Sequence, residues 1–190
     1  MNPNNKHSGD FVTFHQNIRG LTHKTDELLI SLSDINPQFL CVTEHHLLPD
    51  EINSVHLWQY NLGTYFCRKL YKQGGVSIFV LKNIQFQKID LNQYVKEKDF
   101  EVCALNLRVA STNLLIICLY RSPTGDYTYF LNQLELVLNK LHKVSTNIIL
   151  CGDFNINFLE NTSRITCLES LLASFNLYST IKFPTRNFIN

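Results

Sequence analysis

No apolar run in this chain approaches the roughly 20 residues needed to cross a bilayer. The longest runs from Leu114 to Tyr120, and the start Met1-Asn2-Pro3-Asn4-Asn5 has no apolar signal-peptide core. Membrane insertion and secretion therefore find no support, and an intracellular setting is expected. A surplus of one charge is lacking as well. With 17 Lys+Arg against 16 Asp+Glu the formal charge is +1, so no whole-molecule field draws the chain to nucleic acid or acidic lipid. A polyanion partner has to be held by a local site. The six cysteines (41, 67, 103, 118, 151, 167) include no Cys-x-x-Cys pair, and most lie in apolar stretches such as Phe39-Leu40-Cys41-Val42. They read as reduced core thiols, not as a disulfide framework or a zinc site. Internal repeats, low-complexity tracts and linkers are also missing.

What is present is a chain of 190 residues, 45% hydrophobic and 17% charged, which suits one domain with a sizeable core. A polar leader over 1–9 precedes a single domain over 10–190. Phe11 to Gln16 alternates like a strand and meets a turn at Asn17-Ile18-Arg19-Gly20. Thr25 is placed to cap a helix with Leu28, Leu32 and Ile35 on one face, stopped by Asn36-Pro37. Gln38 to Glu44 reads as a buried strand. Further strands are expected over 63–67, 75–81, 84–91, 100–109 and 113–120, the last two joined by a turn at Ala110-Ser111-Thr112. Tyr127 to Leu141 carries the i, i+3, i+4, i+7 stripe of an amphipathic helix. A buried strand over 147–151 and a helix through Ile165, Leu168, Leu172 and Phe175 follow. The pattern predicts mixed α and β, with two sheets covered by helices instead of a regular βαβ alternation.

Three of these strands end in oxygen-bearing side chains: Asn17, Glu44, and Asp153 with Asn155. A hydrophobic strand that stops at such a residue delivers it to the rim of its sheet, so residues distant in sequence can converge. Carboxylate and amide oxygens suit hard cations such as Mg²⁺ or Mn²⁺, which neutralise phosphate and polarise phosphorus. Each residue also has a plainer reading: Asp153 and Asn155 as Asx-turn formers, Glu44 as a solvated strand-end charge, Asn17 as a turn residue. His45 and His46 are adjacent, so they point to opposite sides of an extended chain and read as loop residues. Arg68-Lys69-Leu70-Tyr71-Lys72 mixes cations with an aromatic, which suits either a solvated basic loop or a grip on a phosphate backbone.

Taken together, Phe14-His15-Gln16-Asn17-Ile18-Arg19-Gly20-Leu21, Cys41-Val42-Thr43-Glu44-His45, Gly74-Gly75-Val76-Ser77-Ile78, Leu119-Tyr120-Arg121-Ser122-Pro123 and Cys151-Gly152-Asp153-Phe154-Asn155-Ile156 resemble the endonuclease/exonuclease/phosphatase superfamily. In order and separation they are similar to the endonuclease domain of non-LTR (LINE-type) retrotransposons. The resemblance implies an α+β, DNase I-like four-layer sandwich of two packed β-sheets flanked by helices. It implies a Mg²⁺- or Mn²⁺-dependent phosphodiesterase that nicks DNA, with Glu44 and Asn17 at the metal, and Tyr120, Asn17 and Asn155 at the phosphate. Asp153 would prepare the attacking water. Arg19, Arg121, Arg68, Lys69 and Lys72 would contact nucleic acid. Arg19 stands where abasic-site repair enzymes carry a second acidic residue. A nuclear monomer bearing a downstream reverse transcriptase is the implied context. Family members end in an Asp-His pair, and no histidine here lies beyond His142. The expectation is thus a domain truncated at its C-terminus, with its last strands missing and its activity impaired. The rival readings are a non-catalytic remnant of a decayed element and a phosphatase or phospholipid phosphodiesterase of the same superfamily.

Overall fold

The computed structural model describes residues 11–109, 112–143, 146–160, 162–181, 183 and 185. Strand β1 (Thr13–Asn17), helix α1 (Thr25–Leu32) and strand β2 (Phe39–Thr43) come first, then a short helix α2 (Pro49–Asn53). Strands β3 (Tyr60–Phe66), β4 (Val76–Leu81), β5 (Gln87–Ile89), β6 (Glu101–Val109) and β7 (Thr112–Tyr120) follow. Helix α3 (Tyr127–Leu141), strand β8 (Thr146–Asp153) and helix α4 (Ser163–Ser174) complete the order.

The strands form two four-stranded sheets, β1-β2-β4-β3 and β5-β6-β7-β8. Within each, one pair is parallel: β1 with β2, and β7 with β8. Each of these pairs is joined through a helix, α1 or α3, because a parallel return needs a crossover. Strand periodicity sorts side chains into layers. From β2, Phe39 and Cys41 point into the space between the sheets and meet Leu105, Ile116 and Cys118, while Leu40 and Val42 point outward to Leu28, Leu32 and Ile52. From β7, Leu115, Ile117 and Leu119 face outward onto Phe130, Leu134, Val137 and Leu172. Both faces of the central strands are thus covered, which is why β2 and β7 read as continuous apolar runs. The order helix, sheet, sheet, helix is the four-layer α+β sandwich expected from sequence.

An ion pair ties the sheets together near one end. Arg68, just after β3, reaches Glu101 at the start of β6 with Nη2 2.5 Å from Oε1, and Glu101 is fully buried. The same carboxylate accepts from Gly75 N at 2.7 Å and Lys98 N at 2.8 Å. Burial raises the Glu101 pKa, and the Arg68 guanidinium works against that rise. Gly75 is required here on two counts: its φ is +88°, and a Cβ would lie 2.4 Å from the ring of His45.

Several expectations need correction. Thr25 is the first helical residue and not the cap; Lys24 is the cap residue, and it makes no side-chain cap hydrogen bond. The helix stops at Leu32, and Ile35 is 40% exposed in the turn beyond it, where Asn36 takes a left-handed φ of 45°. Only Gln87–Ile89 of the expected 84–91 strand pairs with β6, at the sheet edge. Helix α2 was not expected, although Pro49 at its first turn and Glu51, whose Oε2 accepts from Leu48 N at 2.7 Å, are start signals. The leader over 1–9 and the turn residues Ala110 and Ser111 lie outside the described residues, though β6 and β7 pair antiparallel up to Val109 and Thr112.

Two stability outcomes follow. Phe130 is fully buried against the rings of Phe100 and Phe154, with centroids 5.9 Å away in each case. Phe130→Ala is expected to cost about 3–5 kcal/mol in urea unfolding, and Trp58→Ala, at a side chain 81% exposed, about 0.5 kcal/mol or less. Arg68→Met strands the buried Glu101 charge and is expected to cost about 3–5 kcal/mol. Adding Glu101→Gln removes that charge and should recover part of the loss by the same measurement.

Candidate active site

The carboxyl ends of the two parallel pairs meet at one rim. On one sheet Asn17 ends β1 opposite Thr43, so Glu44 comes next to it; on the other, Tyr120 of β7 is level with Asp153 of β8. The two ends are joined by a single amide. Asn17 Nδ2 donates to Glu44 Oε1 at 2.7 Å and to Asp153 Oδ2 at 2.6 Å, bridging 136 residues of sequence in the second bond. Four of the five sequence-derived centre residues are therefore within reach of one another through Asn17 and Asp153, because Asn155 N also donates to Asp153 Oδ1 at 3.0 Å. Asp153 Oδ1 thus accepts in an Asx turn, and its Oδ2 meets Asn17 across the two sheets.

Backbone geometry aims these groups. Glu44, Asn155, Arg19 and His46 all take left-handed φ values, of 54°, 50°, 47° and 61°. Such conformations cost on the order of 1–3 kcal/mol each for residues other than Gly and concentrate at functional sites. They are held by ladder-like bonds from the loops: Gly20 N to Glu44 O at 2.7 Å, Glu44 N to Gly75 O at 2.9 Å, and His46 N to Gly74 O at 2.9 Å. Gly152 precedes Asp153 with φ +143°, and a Cβ there would lie 1.9 Å from Leu119 O, so β8 can pack against β7 at this point only with glycine.

Tyr120 is buried and supplies the fifth group. Burial first, and the Glu44 carboxylate second, push its hydroxyl up to about 12, so it stays protonated and able to donate. The Arg68 guanidinium lies 5.6 Å from the centre of its ring. Tyr120, Glu44 and Asn155 open onto a cavity of about 370 Å³ whose walls also carry Arg19, Arg68, Lys72 and Lys98. With Arg68 neutralised by Glu101, three cations, Arg19, Lys72 and Lys98, line the cavity with the Glu44 carboxylate.

The basic residues divide into two groups. Arg19, Lys69 and Lys72 are exposed, and Arg19 and Lys72 face the cavity. Arg121 is 3% exposed and differs from its expected role as a nucleic-acid contact: Nε donates to Phe154 O, Nη1 to Ser122 O and Gly125 O, and Nη2 to Asn155 O. It pins the Asp153–Asn155 turn from behind. Asn155 Nδ2 completes that clasp by donating to Arg121 O at 2.7 Å. Arg68 likewise departs from the picture of a solvated basic loop. Its guanidinium is committed to Glu101 and to the carbonyls of Lys72 and Gln73, so it shapes the cavity wall from inside. The loop itself is held by Glu97, whose carboxylate accepts from Lys69, Leu70 and Tyr71 N.

The histidines separate as their alternation requires. His45 lies in the loop after β2, as expected, but is fully buried there: Leu47 N donates to its Nδ1 at 3.0 Å, its Nε2 faces Phe66 O at 3.0 Å, and burial lowers its pKa to about 4. His46 turns the other way, with Nε2 3.5 Å from Glu44 Oε2. Glu101, Glu97 and Lys98 were missed in the sequence. For Glu101 the available signal was a charged residue opening an apolar strand, opposite Tyr120 in the β6–β7 register.

Carboxylates from two sheets, an orienting amide, a protonated phenol and a cation-lined cavity form a set suited to a phosphate ester with a hard metal ion. Among solved structures the chain is similar to the endonuclease domain of TRAS1, a telomere-specific non-LTR retrotransposon, at 15% identity and TM-score 0.65, covering 87% of this chain and 72% of that one. It is similar to the AP endonuclease LMAP from Leishmania major at 13% identity and TM-score 0.66, covering 87% and 67%. A third likeness is D. rerio TDP2 complexed with single strand DNA product, at 14% identity and TM-score 0.57, covering 90% and 66%. These likenesses show a shared fold. No curated protein matches the sequence. Residues 14–189 match the Endonuclease/Exonuclease/phosphatase family, and the chain belongs to that family.

Proposed function

We propose that this chain is a metal-dependent phosphodiesterase that nicks DNA, the endonuclease unit of a non-LTR retroelement. The observation that carries the reading is the Asn17 amide holding Glu44 and Asp153 together, with Glu44 lining a cavity that also carries cations. The donor set fits Mg²⁺ or Mn²⁺: its charged groups are carboxylate oxygens, with no thiol at the rim. Glu44, with Asn17, would hold the ion, which when bound offsets phosphate charge and leaves phosphorus more open to attack. The remaining work belongs to side chains. Asp153, oriented by Asn17 and by the Asn155 N–H, takes the proton of the attacking water. The Tyr120 hydroxyl, kept protonated by burial, donates to a phosphate oxygen as charge builds there. Asn155, fixed by its bond to Arg121 O, faces the same cavity and steadies the five-coordinate phosphorus.

On this reading Arg19 and Lys72, which line the cavity, take the phosphates flanking the scissile one, with Lys69 on the same loop as Lys72 and Lys98 stacked on the Tyr71 ring beside them. DNA is the partner we propose, and Arg19 at the cavity wall, a cation, favours a strand of phosphates over a single small ester. The proposed setting is a nuclear monomer working beside a reverse transcriptase unit. The likeness to the TRAS1 domain supports this context, and no described helix is long and apolar enough to cross a membrane.

Relaxation of supercoiled plasmid with Mg²⁺ tests the reading. Nicking is expected to stop with a chelator and to fall by at least about 100-fold in Asp153→Ala. Calorimetric titration should show weaker Mg²⁺ binding by Glu44→Gln; equal binding by wild type and variant would take Glu44 out of the site. A separate measurement addresses the cations. The slope of log K for DNA against log salt should shrink by about 1 in Lys72→Ala and in Arg19→Ala, whereas Arg121 variants should lose stability instead.

A further inference from the structure

The cysteines, scattered in sequence, are not scattered in space. Cys41 on β2, Cys118 on β7 and Cys151 on β8 bring their sulfurs within 4.8 Å of one another in the space between the sheets. The other three cysteines take no part. The register explains the meeting: Cys118 and Cys151 are directly paired on neighbouring parallel strands, and Cys41 faces them from the opposite sheet. His15 of β1 is paired with Cys41, so its ring is carried on the same face. These four residues repeat the geometry of the rim one pleat lower. His15, Cys41, Cys118 and Cys151 sit two positions before Asn17, Thr43, Tyr120 and Asp153, which at about 3.3 Å per residue puts the sulfur layer about 7 Å beneath the oxygen layer.

We propose that this cluster is a metal site of its own, for a thiophilic d¹⁰ cation, Zn²⁺ or Cu⁺, built from the thiolates of Cys41, Cys118 and Cys151. Soft sulfur ligands select such ions and reject Mg²⁺, so the two layers discriminate by chemistry. Three thiolates at about 2.3 Å from one tetrahedral ion lie about 3.8 Å apart, so the cluster needs to close by about 1 Å or less. Its present contacts are weak ones that a metal would replace: Cys118 Sγ lies 3.9 Å from Val42 O and Cys151 Sγ 3.5 Å from Ile117 O. Each ligating thiol gives its proton to solvent as the metal–sulfur bond forms, with no change of oxidation state. Cys41 and Cys118 are fully buried, and Cys151, on β8, is partly exposed. Sulfur atoms packed only as small hydrophobes would show no preference for one another; a site predicts a stoichiometric ligand.

The test uses the whole reduced protein under anaerobic conditions. Co²⁺, standing for Zn²⁺, is added in excess Mg²⁺ and read by its thiolate charge-transfer and visible bands; Cu⁺ is supplied from a chromophoric chelator. One equivalent of one of the two ions is expected to bind, undiminished by Mg²⁺ and unchanged in Cys167→Ser, whose thiol is exposed and outside the cluster. Cys118→Ala should weaken binding by at least about 100-fold. Cys151→Val, at the partly exposed edge position, is the companion variant in case the buried substitution unfolds the protein, with circular dichroism checking the fold. If neither ion binds at one equivalent, or if folded Cys151→Val binds as well as wild type, the site does not exist. Neither outcome bears on plasmid nicking, which depends on the oxygen layer.

Discussion

The packing of the two sheets face to face is the constraint from which the rest of the molecule follows. Phe39, Ile78, Leu105 and Ile116 are fully buried in the layer between them, and strand alternation sends their neighbours to the outer helices. Because the side-chain period is two, a slip of one residue in β2 or β7 would exchange inner and outer faces throughout, and the core would be lost with the register. The site uses this rigidity. One carboxylate arrives from each sheet, and a single amide can hold both only while the sheets keep their separation.

Bringing polar groups to such a place carries costs that the surrounding residues offset. Glu101 is buried at the sheet interface but shares its charge with Arg68 and two backbone N–H groups. Left-handed backbone at Glu44, His46, Arg19 and Asn155 is unfavourable in isolation, and the loops compensate with a network of backbone bonds and the Arg121 clasp. The two buried arginines thus serve architecture, while the cations free to meet a ligand are the exposed ones.

The thiols lie one pleat below Asn17, Thr43, Tyr120 and Asp153 on the same four strands, with Glu44 following Thr43. This stacking is a direct product of parallel pairing: in β1 with β2 and in β7 with β8, residues at equal distances from the strand ends stay level. A perturbation among the thiols therefore lies on the same strands that position Asn17, Tyr120 and Asp153. Fold likeness at 13–15% identity to an endonuclease domain and an AP endonuclease shows how little of the side-chain content this framework requires. What it does require is the placement of apolar residues on both faces of the central strands.

Much of this was legible in the sequence. The amphipathic stripe of Tyr127–Leu141 marked α3 to the residue, since hydrophobic period reports directly on which face is buried. Oxygen donors at the ends of apolar strands marked Asn17, Glu44, Asp153 and Asn155, because a strand's end is where its sheet meets solvent. Other features were decided only by tertiary structure. Arg68 and Arg121 look like surface cations in the sequence, yet their fates depend on a carboxylate and carbonyls about 33 residues away. His45 and His46 are equivalent by composition and end on opposite sides of a twisted turn, one buried and one beside Glu44. The cysteines show no clustered spacing, and their convergence exists only through the register of three strands from two sheets. Hydrophobic pattern and strand ends are local properties, so the sequence by itself determined them; partners of charge, imidazole and sulfur are set by which distant strands become neighbours, and that was decided when the sheets packed.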